Sequence, residues 1–223
     1  KIDSLNVFFI KSDLANKNAS LKILEKISNI RFDLIINNAG KIYNKESFQK
    51  NLYLNALTHF RLTYFFLKKR KKGKLNVINI SSYYHLLLNS SEKDLISLFN
   101  KKSLNPTKAY AISKLYLITL SNYLEAKFFK RCNFFNIDPG IIKSNFTRDS
   151  STVKKKIFYF IRKILGKNPK SISKEIVNII RRNPKIIKSK ILYNKFNRPH
   201  ILTYNKEFQN KIFNLATKSE KKN

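Results

Sequence analysis

Glycine is scarce in this 223-residue chain: Gly40, Gly73, Gly140 and Gly166 are the whole supply. None of them is spaced to form the glycine-rich turn that cradles a pyrophosphate. Methionine is absent and the first residue is Lys1. A complete translated chain opens on Met unless it is processed, so we expect an N-terminally incomplete chain. A single cysteine, Cys132, excludes an intramolecular disulfide; on a predicted strand it reads as an inert core thiol, with a reactive thiol as the alternative. No run of 18 or more uncharged apolar residues is present, so no transmembrane helix is expected in this segment. An anchor or signal sequence would have to lie before it. His59 and His200 have no partners at ligand spacing, and we expect no metal site.

Acidic residues are also few, 13 against 46 Lys and Arg, for a formal charge of +33. Such a charge invites a nucleic-acid reading. The lysines are nevertheless spread along the whole chain among abundant Asn and Ile, the pattern of an AT-rich coding sequence. One exception is Lys154–Leu165, where cations flank Ile157, Phe158, Phe160 and Ile161 at helical spacing. It reads either as a segment lying on an anionic membrane surface or as a substrate-lid helix with a solvated basic side. Apolar residues at 43% and aromatic residues at 13% exclude disorder, and the length suits one α/β domain.

The apolar patterning alternates strands with helices. Leu5–Lys11, Phe32–Asn37, Leu75–Ser81, Asn133–Ile137 and Lys190–Tyr193 read as strands, the second buried on both faces. Asn18–Ile30, Glu46–Lys69, the stretch from Pro106 to about Lys127, Ser171–Arg182 and Asn205–Thr217 read as helices, with a short one within Ser90–Ser103. Pro106 fits a first helical turn, and Ser171 and Ser173 are candidate N-caps. The alternation predicts a doubly wound parallel sheet with helices on both faces. Ligands belong at the carboxyl ends of its strands.

Tyr110 and Lys114 lie four residues apart, on one helix face. An ammonium near a phenol favours the phenolate and lowers a pKa that is ordinarily about 10, which suits general acid–base catalysis. Around this pair stand Asn37-Asn38-Ala39-Gly40 after an apolar strand, Asn55 in Tyr53–Thr58, Ser81-Ser82 ending a strand, and Asp138-Pro139-Gly140 ending another. This ordered set resembles the short-chain dehydrogenase/reductase family. The stretch from Ser82 to Tyr110, with His85 and Asp94-Leu95 in it, and the basic, apolar tail after Gly140 are similar to its retinol dehydrogenase-like branch.

The resemblance covers essentially the whole chain and implies a Rossmann-like fold, residues 1–223 forming one nucleotide-binding domain. The family normally opens with a strand, a TGxxxGxG turn and a helix, and no such turn occurs here. We therefore expect the first βαβ unit, roughly 30 or more residues, to be missing. By resemblance, Tyr110, Lys114, Ser82 and Asn55 would be catalytic. Tyr110 would exchange a proton with the reacting oxygen, Lys114 would hold the nicotinamide ribose, Ser82 would bind the substrate carbonyl and Asn55 would hold a water linking Lys114 to solvent. Asn38, Ala39 and Gly40 would line the adenosine side, with Asp13 and Leu14 bordering the adenine. Asp13 reads alternatively as a plain helix N-cap, and Asn55 as a solvent-facing helical residue. Pro139 and Gly140 would turn beneath the nicotinamide, with Ile142 and Ser144 near its carboxamide. Ser81 would satisfy backbone groups only, and His85 would shape the loop or act as a base.

The implied activity is NAD(P)-dependent interconversion of a lipophilic alcohol and its carbonyl, retinoid-like or steroid-like. NADP is favoured over NAD by subfamily analogy. Peripheral contact with an intracellular, endoplasmic reticulum-like membrane, or a cytoplasmic location, goes with it; so does a homodimer, and no specific nucleic-acid partner. Two alternatives stay open: a pseudoenzyme without useful cofactor binding, and a basic protein held on nucleic acid or anionic lipid by charge.

Overall fold

The computed structural model describes residues 7–43, 47–143, 166–181 and 199–221. Three parallel strands form the sheet in the order β1 (Leu34–Asn37), β2 (Leu75–Ile80), β3 (Cys132–Ile137). Parallel neighbours need a crossover. A continuous helix α2, built from Phe48–Leu52, a π-helical turn Tyr53–Leu57 and Thr58–Lys69, connects β1 to β2. Helix α4 (Pro106–Lys127) connects β2 to β3. The remaining helices are α1 (Ala19–Ile27), α3 (Glu92–Leu98), α5 (Pro169–Arg181) and α6 (Lys206–Lys221).

Both crossover helices lie on one face of the sheet, over a core that includes Leu75, Val77 and Phe134, with Phe208 and Ile212 of α6 packed into it. Helix α4 is buried on nearly all sides from Ala109 to Ser121, as a helix apolar all round must be. On the other face, Ile78, Phe135 and Ile137 pack with Ile176 of α5.

Asparagines pin the strand register. Asn37, Asn79 and Asn136 are partners across all three strands. The Asn37 amide donates to Asn79 at 2.7 Å, and Asn79 donates to Asn136 at 2.8 Å and to Ser121 of α4 at 2.7 Å. Buried amides cost little when every donor and acceptor is used. A one-residue slip would break the whole row. At the amino ends of the strands, the buried Arg70 guanidinium bonds the Asp33 carboxylate at 2.9 Å and the carbonyls of Phe32, Gly73 and Lys74.

Several expectations are corrected. Residues 7–12 form no strand, and Val7, Phe8 and Phe9 are largely exposed. A strand needs a neighbour to take its backbone groups, and among the described residues none lies beside it. For the same reason β1 is an edge with Leu34 and Ile36 exposed, not a strand buried on both faces. Helix α5 begins at Pro169, so Ser171 and Ser173 fall inside it. Asn168 accepts from the Lys170 N–H at 2.9 Å, and the Ser173 hydroxyl turns back to the Pro169 carbonyl at 2.9 Å. The helix expected at Lys154–Leu165, the strand at Lys190–Tyr193 and Ser144 lie outside the described residues.

Candidate active site

The carboxyl ends of β1, β2 and β3 and the buried face of α4 enclose a cavity of about 160 Å³. Asn38, Gly40, Ser82, Tyr110, Lys114, Pro139, Gly140 and Ile142 line it, as do Ser81, Tyr83, Tyr84 and Asp138. Helix α4 delivers Tyr110 and Lys114. Its start is fixed by Asn105, whose side chain accepts from the N–H groups of Thr107 at 3.0 Å and Lys108 at 3.4 Å, with Pro106 in the first turn. The Lys114 ammonium stands 5.7 Å from the centre of the Tyr110 ring and donates to the Ile80 carbonyl at 2.7 Å. The Tyr84 ring meets Tyr110 edge-on at 5.7 Å.

Lys114 is 3% exposed. Burial lowers its pKa from 10.5 to about 8, while the nearby Asp138 carboxylate works to raise it. Burial in turn raises the pKa of Asp138, against the backbone N–H groups of Gly140 and Tyr83 and the Lys114 charge, which lower it. The charged lysine is thus held in a dry place within reach of a phenol, where its field is felt strongly.

Asn55 lies on the π-helical turn of α2, an irregularity often associated with functional positions. It is fully buried, which removes the solvent-facing alternative. Its amide grips the Lys41 backbone at both ends: the oxygen accepts from the Lys41 N–H at 3.0 Å, and the nitrogen donates to the Lys41 carbonyl at 3.0 Å. The turn from Asn38 to Lys41 is thereby fixed over Lys114. At Gly40 a side chain would sit 3.1 Å from the Asn55 amide oxygen and 3.4 Å from the Lys114 nitrogen, so a larger residue would press on the Asn55 amide. Ala39 points its carbonyl away, to His59 Nε2 at 2.9 Å.

Asp13 and Leu14 do not line the cavity. Asp13 accepts from the Ala15 N–H at 3.0 Å, and the Leu14 carbonyl accepts from Thr58 Oγ1 at 2.9 Å. The Ser82 hydroxyl accepts from the Tyr84 N–H at 3.4 Å at the start of a 3₁₀ turn, Tyr83–Leu87. His85 lies beneath that turn, fully buried, with Nδ1 at 2.5 Å from the Ser82 carbonyl; burial drops its pKa to about 4. Neutral and tied to backbone, it shapes the loop. The expectation for Ser81 is corrected: its backbone N–H bonds Ile137 at 2.7 Å, but its buried hydroxyl finds no partner among the described residues. Gly140 has φ 67°, a conformation that glycine adopts freely, and turns the chain at the cavity mouth.

Three residues at or beside the cavity were given no part in binding or catalysis by the sequence reading. His59 follows Asn55 by one helical turn and shares its face, a spacing that signals a common target in the Asn38–Lys41 turn. Burial lowers its pKa to about 4, so it is a neutral holder of Ala39. Asp138 is an acid at a strand end in a chain with few acids. Ser81 had the same visible signal as Ser82.

Comparisons with known proteins agree with this arrangement. A model of the NAD dependent epimerase/dehydratase family matches residues 1–178. Retinol dehydrogenase 11 of Mus musculus is 31% identical over 159 residues, 66% of this chain and 49% of that protein. Retinol dehydrogenase 12 of Homo sapiens is 31% identical over 125 residues, 53% of this chain and 39% of that protein. The chain thus spans about half the length, or less, of the curated relatives it matches. Among solved structures, the 3-alpha-hydroxysteroid dehydrogenase from Pseudomonas sp. B-0831, complexed with NADH, superposes with a TM-score of 0.65 at 13% identity, covering 83% of this chain and 81% of that one. A short chain dehydrogenase family protein from Francisella tularensis does so with a TM-score of 0.59 at 17% identity, covering 87% and 82%. These two likenesses concern the fold.

Proposed function

Since this chain belongs to the NAD dependent epimerase/dehydratase family, among the short-chain dehydrogenase/reductases similar to retinol dehydrogenases, we propose that it is an NAD(P)-dependent oxidoreductase interconverting a lipophilic alcohol and its carbonyl. One observation carries this reading: Tyr110, Lys114, Ser82 and Gly40, with Asn55 behind Gly40, converge on one cavity at the strand ends. The cavity also fits the cofactor's polar ribose and carboxamide. The Ser81 hydroxyl is buried without a partner among the described residues, and Gly40 brings the backbone close to Lys114. Lys114 and Asn38 would hold the ribose, and Gly140 and Ile142 the ring end. When bound, the nicotinamide supplies or accepts the hydride at the substrate carbon.

The chain's own residues handle the proton and the positioning. In reduction the Tyr110 hydroxyl gives its proton to the oxygen that gains negative charge; in oxidation the phenolate takes the hydroxyl proton. The Lys114 ammonium stabilises that phenolate through a low-dielectric medium. Ser82 donates a hydrogen bond to the same substrate oxygen. Its own hydroxyl is oriented by the Tyr84 N–H, and its backbone by His85. The aromatic wall of Tyr83 and Tyr84 and the side chains of Ile141 and Ile142 offer an apolar lining, which supports a lipophilic substrate. Peripheral membrane contact goes with that substrate class. No described helix is long and apolar enough to cross a membrane.

The test is turnover of retinal, retinol and hydroxysteroids with NADPH, NADH and their oxidised forms, by the parent and by Tyr110→Phe. The variant keeps the ring and its packing and should lose roughly 10²–10⁴ in rate, the usual worth of general acid–base catalysis. Cofactor affinity should change little, whereas Lys114→Ala should damage both binding and turnover. Near-normal turnover by Tyr110→Phe would defeat the assignment. A folded parent that neither binds nor uses cofactor would favour the pseudoenzyme.

A further inference from the structure

Asp138 is a buried acid in a strongly basic chain, 7% exposed at the end of β3. Its Oδ1 accepts the Gly140 N–H at 2.9 Å, and the carboxylate also accepts the backbone N–H of Tyr83. It therefore links the turn after β2, which carries Ser82, to the turn after β3, which carries Pro139 and Gly140. A neutral Asn or Ser would serve as such a link without the penalty of burying a charge. The charge itself answers to Lys114. Among the described residues, Asp138 is the acid whose field reaches that ammonium. One N–H of Lys114 is used on the Ile80 carbonyl, and both charges line the same cavity.

We propose that Asp138 is a positioning residue that holds the Tyr110–Lys114 pair in its protonated form and braces the Ser82 turn against the Pro139–Gly140 turn; this rests on the oxidoreductase reading above. The other groups facing the cavity do not take this role. From α2, His59 is neutral above about pH 4, as is His85 from the 3₁₀ turn. Tyr83 and Tyr84, from that turn, bring no carboxylate. On α4 the neighbours are Tyr110 and Lys114 themselves. Negative charge close to an acid raises its pKa whether the proton sits on nitrogen or on the phenol. Removing the Asp138 charge must therefore move the proton of the coupled pair to lower pH.

Asp138→Asn keeps an oxygen for the Gly140 N–H and deletes the charge. In kcat/KM profiles, carbonyl reduction needs the protonated pair, so its alkaline fall should move to lower pH. Alcohol oxidation needs the deprotonated pair, so its acidic rise should move the same way. At neutral pH the variant should lose reduction while keeping or gaining oxidation. A second measurement needs neither cofactor nor turnover: the phenolate absorbance of the protein minus that of its Tyr110→Phe counterpart. That difference should titrate at lower pH when residue 138 is Asn. Asp138→Glu should return both readouts toward the parent, and Asp138→Ser, smaller and uncharged, should repeat the displacement if Asn does not fold. Equal losses in both directions with unmoved profiles and unmoved phenolate titration would overturn the inference, leaving Asp138 a loop brace. Near-normal turnover by Tyr110→Phe would defeat the oxidoreductase reading instead, and the phenolate titration would still decide the case of Asp138.

Discussion

Replacing Lys114 by Met should make the folded protein more stable near neutral pH while abolishing its proposed activity. Lys114 is buried, and its folded pKa is about 8 against 10.5 for the free side chain. Between those values the unfolded chain holds more protons than the folded one, so stability rises with pH across that window. Below about pH 8 both states are protonated and the full penalty of the buried ammonium is present. At about 1.4 kcal/mol per pH unit, the fall from 10.5 to about 8 amounts to about 3 kcal/mol. Met keeps an unbranched stem of similar volume but loses the hydrogen bond to the Ile80 carbonyl, worth about 1 kcal/mol. The net expectation is a gain of about 2 kcal/mol at neutral pH, vanishing and then reversing toward the pKa of a free lysine. Urea unfolding of parent and variant at a series of pH values measures it directly, and the contributions of titrating groups that do not feel Lys114 cancel in the difference. A variant less stable than the parent at neutral pH, by an amount that does not change with pH, would refute the reasoning.

Two further substitutions probe the surroundings of that lysine. Gly40→Ala places a methyl 3.1 Å from the oxygen of an Asn55 amide that two 3.0 Å bonds to Lys41, one through each end, hold in place. It should cost about 1–3 kcal/mol in urea unfolding and lower turnover, whereas Gly73→Ala, strained by φ 69°, should cost about 1–2 kcal/mol and leave turnover unchanged. Equal effects of the two on turnover would count against the site. Asn79→Ala removes the middle of the asparagine row and leaves the Asn136 oxygen, the Ser121 hydroxyl and one Asn37 donor without that partner. It should destabilise by about 2–4 kcal/mol, and a loss below about 1 kcal/mol would show that the row is not a structural tie.

Much of the fold and the cavity was legible in the sequence because the informative residues report on themselves. Pro106 after Asn105 fixes where α4 begins, and with it the placement of Tyr110 and Lys114 on one face. The apolar runs ending in Asn37, Ile80 and Ile137 gave the strands whose ends line the cavity. The errors came where a segment's state depends on a neighbour. Val7–Phe9 has strand propensity, yet a strand needs a ladder partner, and patterning within one segment carries no information about whether one is present. Asparagine is disfavoured in strands, so the row of Asn37, Asn79 and Asn136 was invisible until register brought the three together. Asp138 and His59 escaped for a related reason: each acts on backbone from a distant part of the chain, Tyr83 for one and Ala39 for the other.

Two sets of buried polar groups in this molecule are treated differently. In the asparagine row the central amide of Asn79 accepts from one neighbour and donates to two more, which is how a polar group is kept in a core without loss of stability. In the cavity the opposite holds. Lys114 and Asp138 keep charges that burial opposes, and the Ser81 hydroxyl has no described partner. Each of these costs on the order of 1–3 kcal/mol that an apolar residue there would not. Lys114, Asp138 and Ser81 line one cavity with Tyr110, and groups whose burial is opposed, gathered beside a phenol, are what a site shaped to bind a polar ligand and move a proton requires.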